Sequence, residues 1–305
     1  MPSNLADLLP RLGLGCAPLG SLLGLVSNEE ADETVRAALD GGIHYFDTAP
    51  LYGGGLSEER LGQALAGRPE VLVSTKVGRL VRPGHPDGFR PQGYDVGPER
   101  YVVDDHTYDG AMRSLDESLT RLGRDRIDIA LVHDPEAVME TALTGAARAL
   151  AALRDQGVVA AFGVGTNYTG TAEIFIERAG VDVVLIAGRY SLLDRSAAET
   201  LFPLCLDRGV AVIAGGVFGS GVLADPEARP FYRYQPVEPD LVARVELMRE
   251  SCRAHGVTLP QAALAFVTDH PAVTTAVVGA RLPSEVEALL ASARSTVPQE
   301  LLESL

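Results

Sequence analysis

Short apolar runs alternate with longer amphipathic stretches from one end of the chain to the other. Apolar, β-branched runs predict strands over 11–17, 43–47, 71–76, 127–133, 160–165, 183–187, 211–215 and 275–279. Apolar residues at three- and four-residue spacing predict helices over 29–40, 57–66, 109–122, 139–156, 171–178, 197–208, 240–255 and 284–294. Glycines close most of these helices: Gly41–Gly42, Gly123, Gly157, Gly180, Gly209 and Gly256 stand where a left-handed cap is wanted. Strands that are apolar on both faces suit a parallel sheet covered by helices.

Repeated β-α units with no break in composition predict a single-domain α/β fold over 1–305, a closed (β/α)8 TIM barrel. The competing architecture is an open doubly wound sheet. That fold wants a G-x-G-x-x-G turn leading into a helix. The glycine-rich stretch 12–20 lacks that spacing, and no helix is predicted directly after it. Two connections are long, 78–105 after the third strand and 217–239 after the seventh. Long loops on that side of a barrel shape substrate pockets.

Composition narrows the function. The 305 residues carry a net charge of −15, which disfavours nucleic acid and anionic membrane surfaces as partners. No apolar run is long enough for a membrane span. The apolar stretch 12–26 is broken by Gly13, Gly15, Pro18, Gly20 and Gly24, with only Arg11 before it, so it reads as a strand and loop rather than a signal peptide. The three cysteines, Cys16, Cys205 and Cys252, show no metal or disulfide spacing. No metal site is expected, and a reducing, cytoplasmic setting fits. A small molecule is the expected partner.

The chain has one lysine, Lys76, among 26 basic residues. Lysine differs from arginine in having a compact ammonium whose pKa burial can move. Lys76 ends the third strand, as Asp47 ends the second and His133 the fourth. Tyr52 follows five residues after Asp47. In a closed barrel these strands are neighbours, and catalytic groups cluster at their C-terminal ends. Each residue alone also has a structural reading: a helix cap, a satisfied core histidine, a packing tyrosine. Together they form a proton-transfer set.

The motif Asp47-Thr48-Ala49-Pro50-Leu51-Tyr52-Gly53 resembles that of the aldo-keto reductases. Gly41-Gly42-Ile43-His44-Tyr45-Phe46, Ser74-Thr75-Lys76, Asp128-Ile129 and the stretch from Arg113 through Gly123 to His133 resemble the same family. Within it, Leu131-Val132-His133-Asp134, Gly163-Val164-Gly165, Gly188-Arg189-Tyr190 and Gly279-Ala280-Arg281 look most like bacterial aldose 1-dehydrogenases of the L-fucose or D-threo-aldose type. Pyridoxal 4-dehydrogenases form a related branch.

The resemblance implies roles. Tyr52 is the general acid in reduction and, as phenolate, the base in oxidation. A free phenol titrates near about 10, and an adjacent ammonium, Lys76, lowers that. Asp47 pairs with Lys76, and His133 orients the substrate oxygen. Thr166 and Asn167 hold the nicotinamide carboxamide. Phe218, Gly219, Ser220, Gly221 and Val222 wrap the pyrophosphate through backbone N–H groups. Gly279, Arg281 and Glu285 lie near the adenosine ribose.

Several positions depart from the family pattern. Many relatives have Gln and a ring-stacking Tyr where this chain has Ala187 and Gly215. Many NADP-using members have Gln or Arg in place of Glu285 and an adenine-binding Asn in place of Leu289. A carboxylate repels a 2′-phosphate and accepts from a 2′-hydroxyl, which favours NAD over NADP; Arg281 argues the other way. The implied reaction oxidises an aldose to its lactone, with pyridoxal 4-dehydrogenase or general aldehyde reductase activity as alternatives. Two readings from other classes stand beside it: a Schiff-base lyase using Lys76, and a cofactor-binding regulatory subunit. His44, Tyr101, His106, Arg189 and 231–234 are the candidate pocket residues.

Overall fold

A computed structural model describes residues 5, 8–22, 24–84, 94, 99–225, 227, 231–232 and 235–305. Eight parallel strands close a barrel: β1 (Leu12–Gly15), β2 (Tyr45–Asp47), β3 (Leu72–Val77), β4 (Ile127–His133), β5 (Val159–Thr166), β6 (Val183–Ala187), β7 (Ala211–Gly215) and β8 (Thr275–Gly279). Each pairs with its sequence neighbours, and β8 closes on β1 with Gly15 opposite Gly279. The doubly wound alternative is thereby excluded.

Period-two alternation along each strand sorts the residues into two layers. Phe46, Val73, Val132, Val164 and Val278 face the helices and join the main core. Tyr45, Ile129, Leu131, Leu185, Ile213 and Val277 fill the barrel interior. The same alternation carries the polar strand ends inward. Asp47 follows Tyr45 by two, Lys76 follows Leu72 by four, and His133 follows Leu131 by two. A polar layer therefore sits on top of the apolar plug at the C-terminal mouth, where barrels carry chemistry.

The helices begin and end as the residue types dictate. A capping box joins Ser27 and Glu30 at the start of Asn28–Asp40, and another joins Thr258 and Gln261 at the start of Leu259–Thr268. Gly123, Gly180 and Gly209 take the left-handed conformation after their helices.

The helix Leu259–Thr268 lies outside the predicted set. Its sequence is apolar on nearly every side, so the helical period has no polar face against which to show. The predicted 240–255 helix (Pro239–Ala254) packs mainly through Val245, Met248 and Cys252 onto a second apolar cluster beside the barrel. The predicted 139–156 helix is interrupted by a π-helical turn, Ala142–Ala146, where Gly145 passes so close to His106 that a Cβ would lie 2.7 Å from its carbonyl oxygen. A 3-10 turn, Ala17–Gly20, does follow β1 directly. The 78–105 connection opens as an antiparallel hairpin, Arg79–Pro83 with Arg100–Asp104, over the mouth. Among the described residues, no helix is long and apolar enough to cross a membrane.

Candidate active site

At the mouth, Lys76 Nζ donates to Asp47 Oδ2 at 2.7 Å, to the Thr48 carbonyl at 2.9 Å and to the Tyr52 hydroxyl at 3.0 Å. Lys76 and Asp47 are 1% and 3% exposed, so this is an ion pair taken out of water. Such a pair is tolerated only when its remaining hydrogen-bonding capacity is filled. Ser74 does part of that: its hydroxyl donates to Asp47 Oδ1 at 2.7 Å and lies 2.8 Å from the Tyr45 hydroxyl below. The β2–β3 register sets Ser74 directly beside Asp47. The amine thus has all three donors engaged, one on a carboxylate. With all its donors committed to these partners, the amine is not free to attack a carbonyl, which disfavours the Schiff-base reading.

His133 completes the layer from β4. Its ring packs edge-on to Tyr52 with centroids 5.9 Å apart. Burial, with Lys76 and Arg79 nearby, holds its pKa well below the usual imidazole range, so the ring is neutral at pH 7. A neutral imidazole presents one donor and one acceptor, the form suited to hydrogen-bonding an oxygen that alternates between hydroxyl and carbonyl. His106, a candidate pocket residue, is buried beneath instead: its Nε2 donates to the His133 carbonyl at 2.8 Å. The Ala146 N–H donates to the His106 carbonyl, tying that support to the π-helical turn.

A cavity of about 980 Å³ starts at Asp47 and Tyr52 and runs across the mouth to Leu289 and Ser292. Asn167, Phe218, Gly219, Ser220, Gly221, Gly279, Arg281 and Glu285 line it. Two of the cofactor candidates do not. Thr166 is buried, bonded to Glu136 Oε1 and accepting from the Tyr168 N–H at 3.0 Å. Val222 is fully buried in the second apolar cluster, because its side chain is the anchor that fastens this loop to the helices beneath. The loop amides are also less free than expected. The Gly219 and Gly221 N–H groups donate within the loop, to the Gly216 and Phe218 carbonyls.

At the far end the two residues with opposed implications meet. Glu285 accepts from the Arg281 backbone N–H at 2.8 Å and from its guanidinium at 3.4 Å. Arg189 lines the cavity too, donates to the Asn167 carbonyl and stands 5.6 Å over the Tyr168 ring. His44 sits before β2, at the opposite end of the barrel from the mouth, and is exposed. Tyr101 is half-buried in the hairpin, and Tyr232 lines the cavity beside a half-buried Phe231. Residues 233–234 lie outside the described set.

The model of the aldo/keto reductase family matches residues 11–305. The chain belongs to the aldo/keto reductase family. It is 40% identical to a D-threo-aldose 1-dehydrogenase of a Pseudomonas species, over 91% of this chain and 87% of that one. It is 38% identical to a pyridoxal 4-dehydrogenase of Microbacterium luteolum, over 96% and 92%. Among solved structures, the glycerol dehydrogenase AKR11B4 of Gluconobacter oxydans superposes with a TM-score of 0.79 at 25% identity, over 97% of this chain and 90% of that one. As a family member the protein is an oxidoreductase. Two residues in and around the site, Glu58 and Tyr168, went unmarked in the sequence, and Ser74 was named there only as part of a family motif, without a role. Glu58 is fully buried, accepts from Thr75 at 2.6 Å and pairs with Arg121 at 2.7 Å, bracing β3 beside Lys76. A charged residue inside an amphipathic helix carries no mark of burial, so only the fold exposes its role.

Proposed function

We propose that this family member is an NAD-linked aldose 1-dehydrogenase acting in the cytoplasm on a small sugar of the L-fucose or D-threo-aldose type. The observation that carries the reading is the Lys76 ammonium bonded to both Asp47 and the Tyr52 hydroxyl. That arrangement favours the phenolate, the form of Tyr52 that removes the anomeric hydroxyl proton. Asp47 holds the ammonium in place. His133, neutral and beside Tyr52, steers the same oxygen. The product is the lactone; run backward, Tyr52 returns the proton to a carbonyl oxygen.

A nicotinamide dinucleotide supplies the hydride acceptor when bound. The cavity fits one. It is elongated, begins at Tyr52, and is floored by glycines where side chains would intrude: a Cβ on Gly279 would lie 2.9 Å from Pro18 Cγ. In this reading Asn167 would hold the carboxamide, the 218–221 loop would flank the phosphates, and Gly279, Arg281 and Glu285 would meet the ribose; all line the cavity. Glu285 supports NAD over NADP, because it neutralises Arg281 and adds a carboxylate where a 2′-phosphate would lie.

The test is a screen of dinucleotide reduction, followed by absorbance, over L-fucose, L- and D-galactose, D-arabinose and pyridoxal, each with NAD and with NADP. Turnover of at least one aldose, faster with NAD, is the expected outcome. Turnover of pyridoxal alone would replace the sugar reading with that of the second relative.

A further inference from the structure

Asp134 follows His133 directly, and successive side chains on a strand point to opposite faces. Here they do not. Asp134 has φ +42°, one of three non-glycine residues in the left-handed region among those described. Its N–H still donates to the Gly165 carbonyl at 2.9 Å, so the backbone is held as the strand ends. The left-handed turn breaks the alternation and brings Asp134 Oδ2 to 3.6 Å from His133 Nε2. A left-handed aspartate is strained, and strain of this kind persists where surrounding structure imposes it.

The contact is no ion pair, since the imidazole is neutral, and at 3.6 Å it is no hydrogen bond. The Asp134 carboxyl makes no side-chain hydrogen bond to any described residue. Burial, with Glu136 nearby, pushes its pKa up to about 6, still leaving it mainly a carboxylate at pH 7. A carboxylate with no donor from the protein is free to accept one from a ligand hydroxyl. Its side chain is 36% exposed, so the carboxylate reaches solvent beside His133, at the edge of the cavity that begins at Tyr52 rather than on its lining. Nε2 and Oδ2 thus form a two-point receptor, each free to bind a separate oxygen.

We propose that Asp134 selects substrates with a hydroxyl on the carbon adjacent to the reacting one, accepting that hydroxyl's hydrogen bond while His133 Nε2 holds the reacting oxygen. The inference rests on the preceding reading only in taking Tyr52 and His133 as the pair that meets the reacting oxygen. It names the feature that distinguishes an α-hydroxy aldehyde or aldose from a simple aldehyde.

The experiment uses the full-length enzyme, reduced dinucleotide and two aldehydes that differ by one hydroxyl, glycolaldehyde and acetaldehyde. The wild type is expected to favour glycolaldehyde in kcat/KM by about tenfold or more, the worth of one hydrogen bond to a charged group. Asp134→Ala lowers that ratio at least about tenfold. Asp134→Asn lowers it less, because the amide keeps an acceptor oxygen in a side chain of the same shape. A purely structural role would move both rates together and leave the ratio alone. A wild-type ratio near one overturns the proposal without any variant. So does a ratio that Asp134→Ala leaves within about threefold of wild type. Neither aldehyde is a sugar. A preference that depends on Asp134, in a protein that oxidises no aldose, would sink the sugar reading and uphold this one.

Discussion

At the Tyr52 end of the cavity, side chains do the organising. Asp47, Lys76 and His133 stand on three adjacent strands, nearly buried, and Ser74 and the Thr48 carbonyl fill the spare hydrogen bonds. At the Leu289 end, backbone and glycine do it. Gly188, Gly216 and Gly279 line the walls, and the loop 218–221 turns through left-handed residues. In the first region Asp47, Lys76, Ser74 and Tyr52 are bonded to one another, and His133 is held by burial and by its edge-on packing against Tyr52. The second is shaped by what is missing, the Cβ atoms that would fill it. Proton transfer needs angles and distances fixed to fractions of an ångström. Holding a long ligand needs a trough with few obstacles.

This contrast can be broken at either end. The largest effect belongs to Tyr52→Phe, which removes the proton-transfer group and keeps the ring. Turnover should fall about 10²- to 10⁴-fold with dinucleotide affinity, read by fluorescence titration, changed little. Sugar oxidation at the wild-type rate would show that the phenol is not the base. Gly279→Val acts at the other end. Its added carbons would meet Pro18 and fill the trough floor, so dinucleotide affinity should weaken by about tenfold or more, with a smaller change in kcat. Unchanged affinity would remove Gly279 from the binding surface. The smallest effect is expected of Glu285→Gln, which releases the Arg281 guanidinium from a partly exposed pair. The ratio of kcat/KM for NADP over NAD should rise by about three- to tenfold. A ratio that stays put would take Glu285 out of cofactor choice.

The same contrast explains what the sequence made legible. Asp47, Lys76 and His133 were visible because each is a polar residue closing an apolar strand, and period-two alternation then decides which way it points. The barrel followed from the same strands, six of which matched at both ends within a residue or less. The cofactor side was less legible because backbone conformation, rather than residue type, makes it. Nothing in the letters says that the Gly219 and Gly221 amides are donated within their own loop, or that Val222 faces inward as an anchor. Thr166 was expected as a ligand from the family resemblance, yet Glu136 takes its hydroxyl. The turn at Asp134 was hidden for a related reason. Aspartate before proline suggests a loop, but only the backbone angle reveals that it shares a side of the strand with His133.

The account depends on the Lys76 ammonium acidifying Tyr52. The most direct measurement is the pH profile of kcat/KM for aldose oxidation in the wild type and in Lys76→Met, followed to high pH where the variant's residual rate is measurable. The account predicts that the pH at which the rate rises moves upward by about one unit or more when the ammonium is removed, because the phenolate loses its counter-charge. A variant with lower rates but the same rising limb would contradict it, since the base would then titrate without regard to Lys76.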